Sequence, residues 1–435
     1  MKRWIYIVIL LLPPGCKKDT AEIYLTPQKA LWYFNQVETI CNRDNGKLWG
    51  RNLYGPLMFV DRATRKIVAN VPDSEGLLKL KDGIYTGSYP RELIIDNTTV
   101  DYGGTRFALA PLPPQEDTMR IETRAIHGLF HCIQKESGID PLRFNIKLMD
   151  GKSQRLLLKL EWRALRKAIG AEGDTRSQAL RDALIFREAR REQFPQEIKD
   201  ENSFESYEGL ATFTYAILCH GSQEETKKYI LETLSRFYGF QSYSRSYGFI
   251  HGALYAFLAY EKGMNFDIAK SDSLDLARLT RDIYDIQLPG ICRDVAGSLA
   301  VSYELESIYK EEEERLAQSK ERMHRQISVF TEKPVVFLTL ESPYFDFEPE
   351  DIQSIDTLGT IYNSIRISDN WGKLAVEKGG CLISYNLRTL RITAKNLKES
   401  KNHFYGDGWH LILNNDWEIT RQDDNYLVRQ TLPQD

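Results

Sequence analysis

Apolar residues along this chain repeat with two different periods, and the change between them divides the sequence. From Asp117 to about Gln326 they recur every three or four positions, the spacing of one helical face. Met119 to Lys135 carries Ile126, Leu129, Phe130 and Ile133 in this way, with Gly138 placed to cap the C-terminus. Further helices are predicted over Ser153 to Ile169, Arg176 to Phe194, Glu201 to Cys219, Ser244 to Tyr260 and Val301 to about Gln326. From about Val329 to Arg429 the period becomes two. There Val335 to Leu340, Cys381 to Tyr385 and Leu390 to Ala394 are expected strands, and Trp409 to Leu413, Asn414-Asn415 and Trp417 to Ile419 an expected hairpin. Before Asp117 the texture is mixed. One helix, Pro27 to Cys41, precedes short apolar runs at Leu57 to Val60, Lys66 to Ala69, Glu92 to Ile95 and Phe107 to Ala110, separated by Asp-Gly, Asn-Thr-Thr and Gly-Gly turn signals. The expected class is α+β: a small N-terminal β region (17–115), a mainly helical core (116–327) and a C-terminal antiparallel, sandwich-like β module (328–435).

The first sixteen residues stand apart. Lys2 and Arg3 precede an unbroken apolar run from Trp4 to Leu12, too short to cross a bilayer, and Pro13-Pro14-Gly15-Cys16 ends it. A signal peptide fits this pattern. Gly15-Cys16 resembles the end of a bacterial lipobox, although Pro13 and Pro14 replace its usual aliphatic and small residues. The resemblance implies lipidation of Cys16 and a mature chain anchored at the cell envelope, on the outer membrane or the periplasmic face. A plain signal peptide is the alternative.

Composition narrows the function classes. With 42% hydrophobic residues, 27% charged residues and a net charge of −4, the chain has material for a core and no basic tract for nucleic acid. Five cysteines follow Cys16 without paired spacing, which excludes a disulfide framework and a cysteine zinc site. No G-x-S-x-G or G-x-G-x-x-G occurs, and Asp150-Gly151-Lys152-Ser153 lacks the leading glycine of a Walker motif. Arg163, Arg166, Arg187, Arg190 and Arg191 either line a site for acidic groups or pair with nearby glutamates on a solvated face.

The candidate chemistry lies at His127-Gly128-Leu129-Phe130-His131. Histidines four apart share a helix face and present two imidazoles to one metal ion, or simply hydrogen-bond in a helical core. On the later helix Glu201, Glu205, Glu208 and Thr212 share a face, which supplies a third ligand or a solvated acidic stripe.

H-G-L-F-H followed by E-G-L-A-T resembles the gluzincin zinc metallopeptidases, in which H-E-x-x-H gives two ligands and a glutamate on a following helix the third. The chain resembles more closely a group of bacterial proteins with that layout. They share G-x-L-W-G (Gly46 to Gly50), P-x-M-F-V-D (Pro56 to Asp61), H-E-x-x-H-x-I-Q, L-x-L-E-W-R-A-L (Leu158 to Leu165), N-E-G-L-A-E-Y and D-G-W (Asp407 to Trp409). The resemblance implies a metallopeptidase-like core with zinc on His127, His131 and Glu208. Two departures matter: the catalytic glutamate is Gly128 here, and Thr212 replaces a glutamate. Losing such a base costs on the order of 10²–10⁴ in rate. Glu205 is the candidate substitute base, and Tyr247, with His251 on the same helix face, the candidate transition-state donor. The expectation is a degenerate, zinc-binding and peptide-binding member. An active metallohydrolase with a substitute base and a non-catalytic surface binding or scaffold protein are the alternatives.

Overall fold

A computed structural model describes residues 25–431, apart from 63, 91–92, 94, 96, 113–116, 137–146, 245, 267–273, 333, 348–351 and 356–357. The first sixteen residues, expected to be a signal peptide ending at Cys16, and Gly138 lie outside the described residues. The chain opens with α1 (Pro27–Asp44), whose N-terminus is capped by Thr26. Six strands follow: β1 (Leu57–Val60), β2 (Lys66–Ala69), β3 (Lys79–Lys81), β4 (Ile84–Ser88), β5 (Thr98–Tyr102) and β6 (Thr105–Pro111). They form one sheet in the order β3-β4-β2-β1-β6-β5, antiparallel except where β1 meets β6. β5 is therefore an edge. Of the apolar run at Glu92 to Ile95, Leu93 sits in a bend and Ile95 in irregular chain, and Glu92 and Ile94 lie outside the described residues.

The helices are α2 (Thr118–Glu136), α3 (Lys152–Gly170), α4 (Gly173–Gln193), α5 (Ile198–Phe204), α6 (Leu210–Cys219), α7 (Gln223–Tyr238) and α8 (Tyr247–Glu261). Three more, α9 (Leu276–Ile283), α10 (Cys292–Ala300) and the long α11 (Leu305–Thr331), complete the region. A π-helical turn, Glu205–Gly209, joins α5 to α6. One buried cluster runs from Leu25 through Phe59 and Ala108 to Ile308. One face of the N-terminal sheet shares this core with the helices, and its other face packs a separate cluster around Met58, Ile67, Tyr102 and Phe107. None of the described helices is long and apolar enough to cross a membrane.

After α11 come β7 (Val335–Thr339), β8 (Tyr344–Asp346), β9 (Ile352–Ile355), β10 (Gly359–Tyr362), β11 (Ile365–Asp369), β12 (Gly372–Val376) and β13 (Cys381–Ile383). β14 (Thr389–Thr393), β15 (Lys398–Ser400), β16 (His403–Gly406), β17 (Trp409–Leu413), β18 (Trp417–Gln422) and β19 (Asn425–Gln430) finish the chain. They make two sheets, β18-β19-β7-β14-β13-β10-β9 and β15-β16-β17-β12-β11-β8, antiparallel except for β7 with β19. Val336, Ile392, Ile367, Leu374 and Leu411 fill the space between them. The expected hairpin of Trp409 to Ile419 does not form. β17 pairs with β12 and β16, the Asn414 turn carries the chain to the other sheet, and β18 pairs with β19 across Asp423, which adopts a φ of 54°.

Candidate metal centre

Helix α2 lies on β5 and β6 and buries His127 and His131 on the face turned toward the π-helical turn. Their Nε2 atoms are 2.8 Å apart. Glu208, from the π turn, brings Oε2 to 3.3 Å from His127 Nε2 and 3.5 Å from His131 Nε2. Among the described residues, these three are the one cluster of histidine, cysteine and carboxylate atoms close enough to share a metal ion. The side chain of Glu208 is 18% exposed and that of His131 only 1%, so the cluster opens on the glutamate side.

The surroundings prepare His131 as a ligand. Gln134 Nε2 donates to the carbonyls of Ser206 and Tyr207 at 3.1 and 3.2 Å, which turns its Oε1 toward His131 Nδ1 at 2.7 Å. An amide oxygen only accepts, so Nδ1 carries the proton and Nε2 is left bare. His127 Nε2 can then donate to it. Gln134 also ties α2 to the turn that carries Glu208, and the Tyr207 ring stacks on His131 at 4.3 Å.

Zinc bonds of 2.0–2.2 Å in tetrahedral geometry separate ligand atoms by about 3.3–3.5 Å. Both glutamate–histidine distances match. The histidine pair is shorter by about 0.5 Å, a hydrogen-bond distance that a small ring rotation would widen. Glu208 Oε2 is buried and meets no hydrogen bond of ordinary geometry. Burial pushes its carboxyl up, but His127 and His131 outweigh that and hold it at about 2. A buried, ionised oxygen aimed at two imidazoles, one fixed by an outer partner, fits a divalent cation such as zinc.

Gly128 has a packing reason. A Cβ there would stand 3.2 Å from the Thr98 carbonyl oxygen, 3.4 Å from Ala108 Cβ and 3.4 Å from the Leu109 carbonyl oxygen. The helix sits so close to the β5–β6 hairpin that a longer side chain meets strand backbone directly.

Two expected catalytic residues face elsewhere. Glu205 is fully buried and takes Arg187 with both oxygens, at 3.0 and 2.7 Å. It belongs to a buried ion network in which Arg190 pairs with Glu161 and Glu201, and Arg191 with Glu201 and Asp275. The π turn is why periodicity misplaced it: one wide turn separates Glu205 from Glu208, so the stripe from Glu201 to Thr212 divides between two partners. Tyr247 is also fully buried, edge-on to Phe204 at 5.6 Å. His251 Nδ1 accepts from Trp162 Nε1 at 2.8 Å, and its Nε2 lies 2.7 Å from Arg187 Nη1 and 3.0 Å from Glu161. Arg187, Arg190 and Arg191 are ion-pair partners, buried rather than solvated.

Sequence reasoning missed Tyr215, whose ring lies 6.0 Å from that of His127, and Phe249, stacked at 6.3 Å. Burial, then Tyr229, raises the Tyr215 hydroxyl well above its ordinary value, so it remains a proton donor. Its spacing of seven from Glu208 was the available signal. Gln134 stood inside the H-x-I-Q motif without a role.

No family model, curated protein or solved structure matches this chain. The reading of the centre therefore rests on its own geometry. The remaining motifs are structural in these surroundings. Trp49 donates to Thr214 at 3.1 Å and packs on Phe130, clasping α2 to α6. Trp409 donates to the Thr393 carbonyl at 2.8 Å, joining the two C-terminal sheets.

Proposed function

We propose that His127, His131 and Glu208 bind one zinc ion on a gluzincin-like frame that lacks the general base of that family. The protein then acts as a metal-dependent peptide-binding protein rather than an efficient peptidase. The observation that carries this reading is the convergence of the three ligand atoms with Gln134 fixing His131 from behind. Bound zinc would polarise the carbonyl oxygen of a ligand as a Lewis acid. The edge of β5, next to α2, offers backbone groups to an extended peptide. Glu205, engaged by Arg187, gives no support to a substitute base. The signal segment and Cys16 support lipid anchoring at the envelope, which loss of membrane fractionation in a Cys16→Ala variant would test.

Zinc titration of the mature chain, followed by incubation with a mixed peptide library, tests the function. The reading requires saturable zinc binding that His127→Ala or Glu208→Ala weakens by at least a hundredfold, with no cleavage above the level of those variants. Cleavage that follows zinc loading would establish the active-hydrolase alternative instead.

A further inference from the structure

Of the basic positions that stand out in the sequence, Arg163 and Arg166 lie on α3, and Lys167 follows them. Spacings of three and four put all three on one helix face. They border a cavity of about 470 Å³, together with Tyr238 from α7 and the turn Val301–Tyr303 that leads into α11. Ser302 and Glu304 complete its rim.

The three cations end differently. Arg163 takes Glu304 at 2.6 Å and Glu311 at 3.0 Å, so the one carboxylate of the lining is already engaged. Arg166 donates to the Ser235 hydroxyl at 2.8 Å, and Lys167 lies over the Tyr303 ring at 5.6 Å. Neither forms an ion pair among the described residues, and the Ser302 hydroxyl has no hydrogen-bond partner among them. Partial burial pushes the Arg166 guanidinium below its ordinary value; the Tyr238 hydroxyl offsets part of this and Arg163 adds to it. No carboxylate enters that balance. Lys167 lies in the last turn of α3, where the helix dipole favours a cation, but Arg166 stands between two like charges at helical spacing. Two cations and a hydroxyl therefore border one space with no acid to answer them. A phosphate dianion matches their charge. The Arg166 fork suits two of its oxygens, while the ammonium and the hydroxyl can reach a third, which a planar carboxylate does not offer.

We propose that this cavity between α3, α7 and the start of α11 binds the phosphate of a phosphomonoester, held by Arg166, Lys167 and Ser302. It shares no residue with the metal centre. Calorimetric titration of the mature chain with glycerol 3-phosphate and with succinate, at matched ionic strength, tests it. One-site binding of glycerol 3-phosphate is expected, tighter than that of succinate. Arg166→Gln and Lys167→Gln, both at exposed positions, should each raise Kd by about tenfold or more. Arg278→Gln, which removes an exposed cation of α9, and His131→Ala should leave Kd unchanged. Vesicles of phosphatidylcholine and phosphatidic acid distinguish the source of the phosphate. Cosedimentation that Arg166→Gln abolishes places it on a lipid; binding of glycerol 3-phosphate without cosedimentation places it on a soluble ester. Absence of saturable binding to both glycerol 3-phosphate and the vesicles, succinate binding as tight as that of the ester, or unchanged binding in Arg166→Gln would overturn the proposal.

Discussion

Two residues decide how the centre works, and neither is a ligand. Gln134 holds His131 in the tautomer that leaves Nε2 free, so Gln134→Ala should weaken zinc binding about 10- to 100-fold, and it should also lower the melting temperature of the zinc-free protein, because the Ser206 and Tyr207 carbonyls lose their buried donor. Competition against a zinc-sensitive dye measures this, and an unchanged affinity would remove Gln134 from the account. Gly128 is the second. The reverse substitution Gly128→Glu sets Cβ 3.2 Å from the Thr98 and 3.4 Å from the Leu109 carbonyl oxygen, so a loss of about 1–3 kcal/mol from overpacking is expected, without gain of peptidase activity. Urea unfolding and a peptidase assay check both halves. Glu208 was singled out beside the histidines only through the resemblance, whereas the nearness of His127 and His131 was legible in the sequence, because spacing of four on a helix fixes a shared face. The reason for the glycine was not, because the hairpin that crowds it is set by β5 and β6, whose contact with α2 no local pattern encodes.

At the scale of elements, the π turn between α5 and α6 is the part that sequence periodicity could not supply. It aims Glu208 at the histidines and Glu205 at Arg187, and α8 holds it from the other side. A Cβ on Gly252 would meet the Glu205 carbonyl oxygen at 2.3 Å, and one on Gly209 would meet Gly252 Cα at 2.6 Å. Backbone lies against backbone there. Gly252→Ala should therefore both destabilise the fold and loosen zinc binding, whereas Gly170→Ala, which meets nothing within 4 Å, should do neither. Paired thermal melts and zinc affinities separate these outcomes. The Arg187–Glu205 pair is a second constraint on the same turn. Removing Arg187 alone (Arg187→Met) leaves a buried carboxylate uncompensated and should cost about 3–5 kcal/mol, most of it recovered when Glu205→Gln is added. A double-mutant cycle with no coupling would contradict the pairing. Helix α4 showed its arginines plainly in sequence; their burial depended on carboxylates from α3, α5 and α9, distant along the chain.

The described residues build a large core from Leu25 to Ile308, a second cluster on the other face of the N-terminal sheet, and a β-sandwich that follows. The α+β class and the start of the sandwich near Val335 were readable from the change of period. The strand order was not, since Asn414-Asn415 looks like a hairpin turn and only packing sends β18 to the opposite sheet. Buried carboxylates paired with cations also give the molecule an acid limit. Burial pushes Asp275 and Glu312 up, yet their basic partners bring each down to about 2, from ordinary values of 3.8 and 4.5. Because these folded values lie below the unfolded ones, the stabilisation is complete above about pH 4.5 and drains away as pH falls toward 2. The urea midpoint should hold between pH 7 and 5 and fall steeply by pH 3; a flat profile would contradict it. The central claim, that His127, His131 and Glu208 hold a metal, is tested most directly by elemental analysis of the mature protein after zinc loading and gel filtration. One zinc per chain, lost in both His131→Ala and Glu208→Ala, is the predicted result. Zinc content no higher than in those variants would contradict it.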